Sequence, residues 1–141
     1  MTSLRRGVVA LILPFALIGC EAPGGRAATA DAAARAVPEE VYEVALFAAI
    51  ASGLAQDCPQ LRFNEGEFRI AELELREKYG DATDLVGAVE DSPVLQARVE
   101  RDGAAYIRRR GITPGDEASL CRAGSQERAE RTDIARFLQP A

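Results

Sequence analysis

The sequence lacks histidine, and it has only three cysteines among its 141 residues. Histidine is the side chain whose ordinary pKa suits proton transfer at neutral pH, and it is the usual base beside a serine nucleophile. No two cysteines stand in a C-x-x-C arrangement, which disfavours a thiol redox motif and a soft-ligand metal site. We therefore expect no cofactor, no metal and no enzymatic activity.

Carboxylates are the acid–base groups that remain. Three pairs stand close together in the sequence, but each falls on a pattern typical of the solvated face of a helix, so we do not expect a glycosidase-like pair. No glycine-rich phosphate loop follows a strand, and no calcium-loop spacing occurs. The three pairs are Glu72 with Glu74, Glu90 with Asp91, and Glu127 with Glu130.

Residues 1–19 have the parts of an export signal. Arg5-Arg6 precedes an apolar stretch, residues 7–18, which spans about 18 Å as a helix and is too short for a hydrocarbon core of about 30 Å. The stretch ends in Leu17-Ile18-Gly19-Cys20, which resembles the lipobox of bacterial lipoproteins. We expect removal of this lipoprotein signal peptide and attachment of fatty acyl chains to Cys20, which would hold the chain on a membrane. A plain secretory signal with an incidental cysteine is the alternative.

Residues 20–36 form the next segment, in which alanine, glycine, proline and a few charges follow Cys20. Such a segment cannot contribute to a core, and we expect a flexible tether with a mean reach of roughly 20–25 Å. Glu21 stands where an aspartate often retains lipoproteins at the inner membrane. We therefore expect the lipid anchor to hold the protein on the periplasmic face of the outer membrane rather than on that of the inner membrane.

The domain that follows the tether is acidic. Loss of residues 1–19 removes two arginines and no acid, which takes the formal net charge two units below the −5 of the full chain. An acidic, exported domain is not expected to bind nucleic acid.

Two cysteines remain once Cys20 is assigned to lipid. An oxidising compartment favours a disulfide between Cys58 and Cys121, and in the chain-entropy model such a bond stabilises the fold by about 4 kcal/mol. A redox or metal-binding role for the two thiols is the alternative.

Residues 37–141 have the length of a single domain, and their apolar residues recur at three- and four-residue steps, which predicts helices. Proline at a first-turn position marks a helix start at Pro38 and again at Ser92-Pro93. No segment sustains a period of two. We expect an all-α fold of about five helices in an orthogonal array or irregular bundle, stapled by one disulfide. The predicted helices are Pro38 to Cys58, Glu65 to Tyr79, Asp81 to Asp91, Ser92 to Gly111, and Thr113 to the end of the chain.

Several short motifs resemble one protein family. They are Cys58-Pro59, Gly103-Ala104-Ala105-Tyr106 and Cys121-Arg122-Ala123-Gly124, followed by Glu127, Thr132, Ile134 and Leu138. The family is a domain of unknown function, numbered 5333, of small exported proteins of the Rhodobacterales, and the resemblance covers roughly residues 41–138. It implies a disulfide between two helices, a glycine at a close contact and a helical C-terminal hairpin, but no activity. Arg128, Asp133 and the lipid anchor depart from the family's pattern.

Arg108, Arg109 and Arg110 form the one concentrated cationic patch of the sequence, at the end of the fourth predicted helix. These arginines either balance the negative end of that helix or contact anionic lipid headgroups below the tether.

The sequence favours a lipid-anchored, non-enzymatic module that binds an unknown envelope protein or supports the envelope. One alternative is a small-molecule carrier with an apolar pocket between helices, beneath Tyr79 and Tyr106. Another is an acid-responsive periplasmic holdase that loosens below about pH 4, where aspartate and glutamate titrate.

Overall fold

A computed structural model describes residues 37–80, 87, 89 and 91–141. Within these residues the chain is mostly helical, with four α-helices, one short 3-10 helix and one two-stranded sheet. None of the described helices is long and apolar enough to cross a membrane. In chain order the elements are α1 (Glu39–Asp57), β1 (Leu61–Phe63), α2 (Glu65–Tyr79), α3 (Pro93–Arg110), α4 (Glu117–Glu130), the 3-10 helix (Ile134–Phe137) and β2 (Leu138–Pro140).

Polar side chains cap the first turns of three helices. Asn64 accepts a hydrogen bond from the Glu67 amide at the start of α2. Ser92, which precedes Pro93, accepts one from the Leu95 amide at the start of α3. Asp116 caps α4 by accepting from the Ser119 amide at 3.2 Å. These caps satisfy amides that have no partner inside a helix, which fixes where each helix begins.

Helix α1 lies at the centre of the domain and contacts β1, the 3-10 helix and each of the other described α-helices. Its buried residues contribute to two apolar clusters. One cluster joins Ala48, Ala51 and Leu54 to the C-terminal segment, and the other joins Val41 and Tyr42 to α2 and α3. The core is therefore organised around a single helix.

The two strands form an antiparallel ribbon that pairs Leu61 with Pro140 and Phe63 with Leu138. Helix α4 packs against this ribbon so closely that a Cβ on Gly124 would overlap the Leu61 side chain. The close contact of a glycine that the family resemblance implied is therefore present at Gly124.

The C-terminal segment differs from the expectation. Helix α4 ends at Glu130, and Arg131 adopts a left-handed conformation with φ 54°. The 3-10 helix and β2 follow, so the helical C-terminal hairpin was a wrong prediction. The reason is tertiary, because Phe137 and Leu138 are buried and β2 completes its hydrogen bonds on β1.

The predicted count of about five α-helices also differs from the four α-helices of the described residues. The predicted helix from Asp81 to Asp91 lies mostly outside the described residues, which include only Gly87, Val89 and Asp91 of that stretch. The export signal 1–19 and the segment 20–36 with Cys20 lie outside them altogether. Their assignments stay predictions.

A disulfide joins Cys58 to Cys121, as the cysteine count led us to expect. Cys58 lies one residue beyond the end of α1, and Cys121 lies in the second turn of α4. The bond therefore ties the central helix to the helix that covers the ribbon.

Candidate binding groove

An apolar groove of about 360 Å³ opens between α1 and α3, and we call it the α1–α3 groove. Its floor includes buried Leu54, Tyr106 and Ile112, and its rim includes Ile107, which is 38% exposed. Asp57 is the one charged residue among the described residues that line it. The full lining is Leu46, Ala49, Ile50, Gly53, Leu54, Asp57, Val99, Gly103, Tyr106, Ile107, Ile112, Pro114, Gly115 and Leu120.

Two glycines widen the groove from opposite walls. Gly53 lies inside α1 and Gly103 lies inside α3, and both line the groove. No atom lies within 4 Å of the position that a Cβ would take at either glycine. The space beside them is therefore part of the opening and not a packed contact.

A second cleft, of about 490 Å³, shares Ala49 and Val99 with the α1–α3 groove. Its lining is more polar, since it includes Ser52, Gln96 and Glu100. The α1–α3 groove is the better candidate for an apolar ligand, because its described lining offers a continuous apolar surface.

A buried carboxylate supports the floor of the groove from below. Glu127 is only 1% exposed, and its Oε1 accepts a hydrogen bond of 3.0 Å from the Tyr106 hydroxyl. Thr132 donates to the other oxygen, and Arg110 Nε lies 2.7 Å from Oε1. Burial, together with the negative Glu127, raises the pKa of Tyr106, so its hydroxyl stays protonated and keeps donating. Tyr106 is therefore held in place by α4.

The predicted arginine patch is divided by the structure. Arg110 is engaged internally, since its guanidinium forks onto Glu130 at 3.1 and 2.6 Å while also facing Glu127. These carboxylates raise the pKa of Arg110. Arg108 and Arg109 are exposed at the end of α3, and Arg109 lies 5.9 Å from the Tyr106 ring. A contact with lipid headgroups stays a prediction for the patch.

Tyr79, which we expected beside Tyr106, does not line the α1–α3 groove. Its hydroxyl donates to Glu40 at 2.9 Å, next to an ion pair between Glu40 and Lys78. The groove therefore lies beneath Tyr106 but not beneath both tyrosines.

Ion pairs also join the start of α1 to α3. Arg98 binds Glu39 through both ends of its guanidinium and stacks 3.7 Å from the centre of the Tyr42 ring. The Tyr42 hydroxyl donates to Asp102 at 2.8 Å, which lowers the pKa of that carboxyl group. The pKa of Glu39 is lowered by its hydrogen bonds with Arg98. These contacts fix α3 relative to α1 at one end of the groove.

Three of the six carboxylates singled out in the sequence bind an arginine in the structure. Glu74 binds Arg136 at 2.9 Å, and Glu127 and Glu130 share Arg110. Glu90 lies outside the described residues. Within the described residues no cluster of His, Cys, Asp or Glu side chains has the form of a metal site.

Sequence reasoning named Tyr106 for the groove but did not single out Gly53 or Asp57, which also line it. A signal was present for Asp57, because an acidic residue at the C-terminal end of a helix faces the negative end of the helix dipole. The position of Gly53 inside a predicted helix was another, since glycine disfavours a helix interior.

A family model described as a family of unknown function (DUF5333) matches residues 34–139 of the chain. Comparison with curated proteins and with solved structures gave no match.

Proposed function

The chain belongs to the DUF5333 family, whose function is unknown, and from that premise we propose a lipid-anchored, non-enzymatic binding protein of the bacterial envelope. Its anchor is Cys20, its domain faces the periplasm, and its binding site is the α1–α3 groove. The observation on which the proposal rests is the groove itself, an open apolar surface between two helices.

The size and chemistry of the groove suit a small apolar ligand. Its volume of about 360 Å³ lies within the range of about 300–1,000 Å³ that ligand sites occupy. Transfer of apolar surface from water into such a site is favourable by about 25 cal/mol per Å². Arg98 joins α3 to α1 through Glu39 and Tyr42. Buried Glu127 joins α3 to α4, so the walls are formed before a ligand arrives.

The location rests on the sequence. The lipobox at Leu17-Ile18-Gly19-Cys20 supports acylation of Cys20, and the tether 21–36 would leave the domain within roughly 20–25 Å of the bilayer. Exposed Arg108 and Arg109 would each add about 1 kcal/mol of attraction to anionic headgroups if they face the membrane.

Intact-mass analysis of membrane extracts tests the anchor. We expect a mature species that begins at Cys20 with a mass increase of fatty acyl chains, and we expect Cys20→Ser to lose both the processing and the acyl chains. A species that retains residues 1–19 in the wild type would refute the anchor.

Extraction of bound small molecules tests the groove. We expect an apolar compound to co-purify with the wild type from native envelopes, and Ile107→Glu to abolish its retention because a charge then stands on the rim of the groove. Ile70→Glu is the matched control, since Ile70 is also an exposed isoleucine but lies on α2, outside the groove lining. Equal retention by both variants would refute the groove as the site.

A second candidate function is the binding of an envelope protein, which we expected from the sequence, and α2 is the surface that we assign to it. Ile70 and Leu73 lie three residues apart on this helix and are 45% and 54% exposed. Apolar residues at this spacing share a helix face, and such faces often contact a partner helix. The double variant Ile70→Glu and Leu73→Glu should release an envelope protein that wild type retains after crosslinking. Retention of the same protein by the double variant would refute this candidate.

A further inference from the structure

Three residues that line the α1–α3 groove are unfavourable for the elements that contain them. They are Gly53 in α1, Gly103 in α3 and Asp57 at the end of α1. Residues that contradict their local structure are expected at functional sites, where another requirement overrides local stability. Three such residues around one opening indicate that the groove has a ligand.

Neither glycine is required by packing. Glycine inside a helix is disfavoured because it loses more backbone freedom on folding than any other residue. The usual compensation is a close contact, which Gly124 has with Leu61, but the space beside Gly53 and Gly103 is open. The two glycines therefore keep the groove wide, because neither adds a side chain to it.

Asp57 is unfavourable in charge. It is the last residue of α1, where the helix dipole presents its negative end, and no basic residue lies in that last turn. Asp57 is exposed, and no side chain among the described residues pairs with it. The carboxylate and the helix end together create a negative potential at one end of an otherwise apolar groove.

We propose that the α1–α3 groove binds one straight alkyl chain that has a cationic head group. The head lies beside Asp57, and the chain lies between Gly53 and Gly103 and extends toward Leu46. This inference deepens the proposed binding function and rests on it. An anionic amphiphile would meet the repulsion of Asp57, whereas a cationic one gains an attraction that a neutral one lacks.

The lining also argues for an alkyl chain rather than a peptide. A peptide segment in the groove would bury backbone amides and carbonyls that need hydrogen-bond partners. The described lining offers few, because the Tyr106 hydroxyl is already bound to Glu127 and Asp57 lies at the end. An alkyl chain has no polar groups to satisfy.

Photolabelling of the full acylated chain in its native membrane tests this proposal. Two probes have the same diazirine-bearing dodecyl chain, one with a trimethylammonium head and one with a sulfonate head. We expect the cationic probe to label residues 46–57 and 99–107 more than the anionic probe does. The ratio of the two labelling yields is the measured quantity, since it cancels the total amount of protein.

Three variants make the test specific. Asp57→Asn should lower the cationic-to-anionic ratio by about two- to fivefold, the range for one exposed charge pair. Gly53→Leu should lower labelling by both probes at least about tenfold because leucine fills the opening. Gln56→Leu adds the same side chain to the same helix outside the lining and should change neither value. Helical circular dichroism and the urea midpoint of each purified variant show whether it is folded.

Different failures have different meanings. An unchanged ratio in Asp57→Asn overturns the cationic head group, while loss of labelling in Gly53→Leu would still support an apolar ligand in the groove. Wild-type labelling by Gly53→Leu overturns both the alkyl-chain inference and the proposed binding site. The mass of the acylated chain is measured on the same sample, so failure of the anchor is recognised separately.

Discussion

Replacement of Glu127 by alanine is expected to be one of the most damaging single changes in the domain. The Glu127 side chain is only 1% exposed, and three side chains from two other parts of the chain converge on its carboxylate. Tyr106 donates to it at 3.0 Å, Thr132 donates to its second oxygen, and Arg110 Nε lies 2.7 Å away. The substitution would leave the Tyr106 hydroxyl without its acceptor and Arg110 without its buried partner.

The expected loss follows from these contacts. Removal of one member of a buried ion pair costs about 3–5 kcal/mol, and a buried hydroxyl that loses its acceptor costs about 1–3 kcal/mol. Arg110 keeps Glu130 and is 19% exposed, which moderates the first of these costs. We therefore expect Glu127→Ala to lower the free energy of unfolding by about 3–5 kcal/mol. Glu127→Gln keeps an acceptor oxygen and should cost less.

Urea unfolding followed by helical circular dichroism measures this loss. The midpoint should fall by more than about 1 M for Glu127→Ala. Glu130→Ala is the matched control, because Glu130 binds the same arginine but is 52% exposed, and its midpoint should stay close to that of the wild type. Equal shifts in the two variants would show that burial of Glu127 does not set its contribution.

Further changes have predicted outcomes. Gly124→Ala should lower the free energy of unfolding by about 1–3 kcal/mol, because the added methyl group overlaps Leu61. Gly53→Ala should raise it by about 0.5–1 kcal/mol, because its methyl group meets open space. Equal urea midpoints for the two variants would contradict both predictions. Cys121→Ser should lower the free energy of unfolding by about 4 kcal/mol, and an unchanged urea midpoint would show that the disulfide does not stabilise the fold. Glu39 and Asp102 have lower pKa values in the folded protein than in the unfolded chain, where they titrate near pH 4. Their ionised forms therefore stabilise the fold above that pH, and this stability is lost as the pH falls. Urea midpoints should decrease between pH 5 and 3. Anilinonaphthalene fluorescence that stays flat from about pH 7 to pH 3 would reject the holdase alternative.

The local part of the fold could be predicted from sequence because its causes are local. Ser92-Pro93 indicates the start of α3, and the bounds of α2 were predicted as Glu65 to Tyr79. The start predicted at Thr113 precedes the observed start of α4 at Glu117, because Asp116 is the capping residue. The disulfide followed from cysteine number and compartment. These features depend on residues a few positions apart or on a count.

The ribbon and the groove could not be predicted because their causes are distant in sequence. A strand of three residues is too short to show a period of two, and Leu61–Phe63 pairs only because Leu138–Pro140 lies beside it. Glu127 fits a solvated helix face, and it is buried because Tyr106 and Arg110 reach it from α3. The groove depends on which faces of α1 and α3 meet, and no single-helix pattern contains that information.

The ribbon of β1 and β2 has a consequence for the order of events during biosynthesis. Residues 61–63 pair with residues 138–140, which are synthesised much later, and the amide of Ala141 donates to the Gln60 carbonyl. Until residues 138–140 have emerged from a ribosome or a translocation pore, β1 lacks these partners. Phe137 and Leu138 belong to the core cluster around α1, so until they arrive α1 depends on chaperones or on fast folding for protection from aggregation.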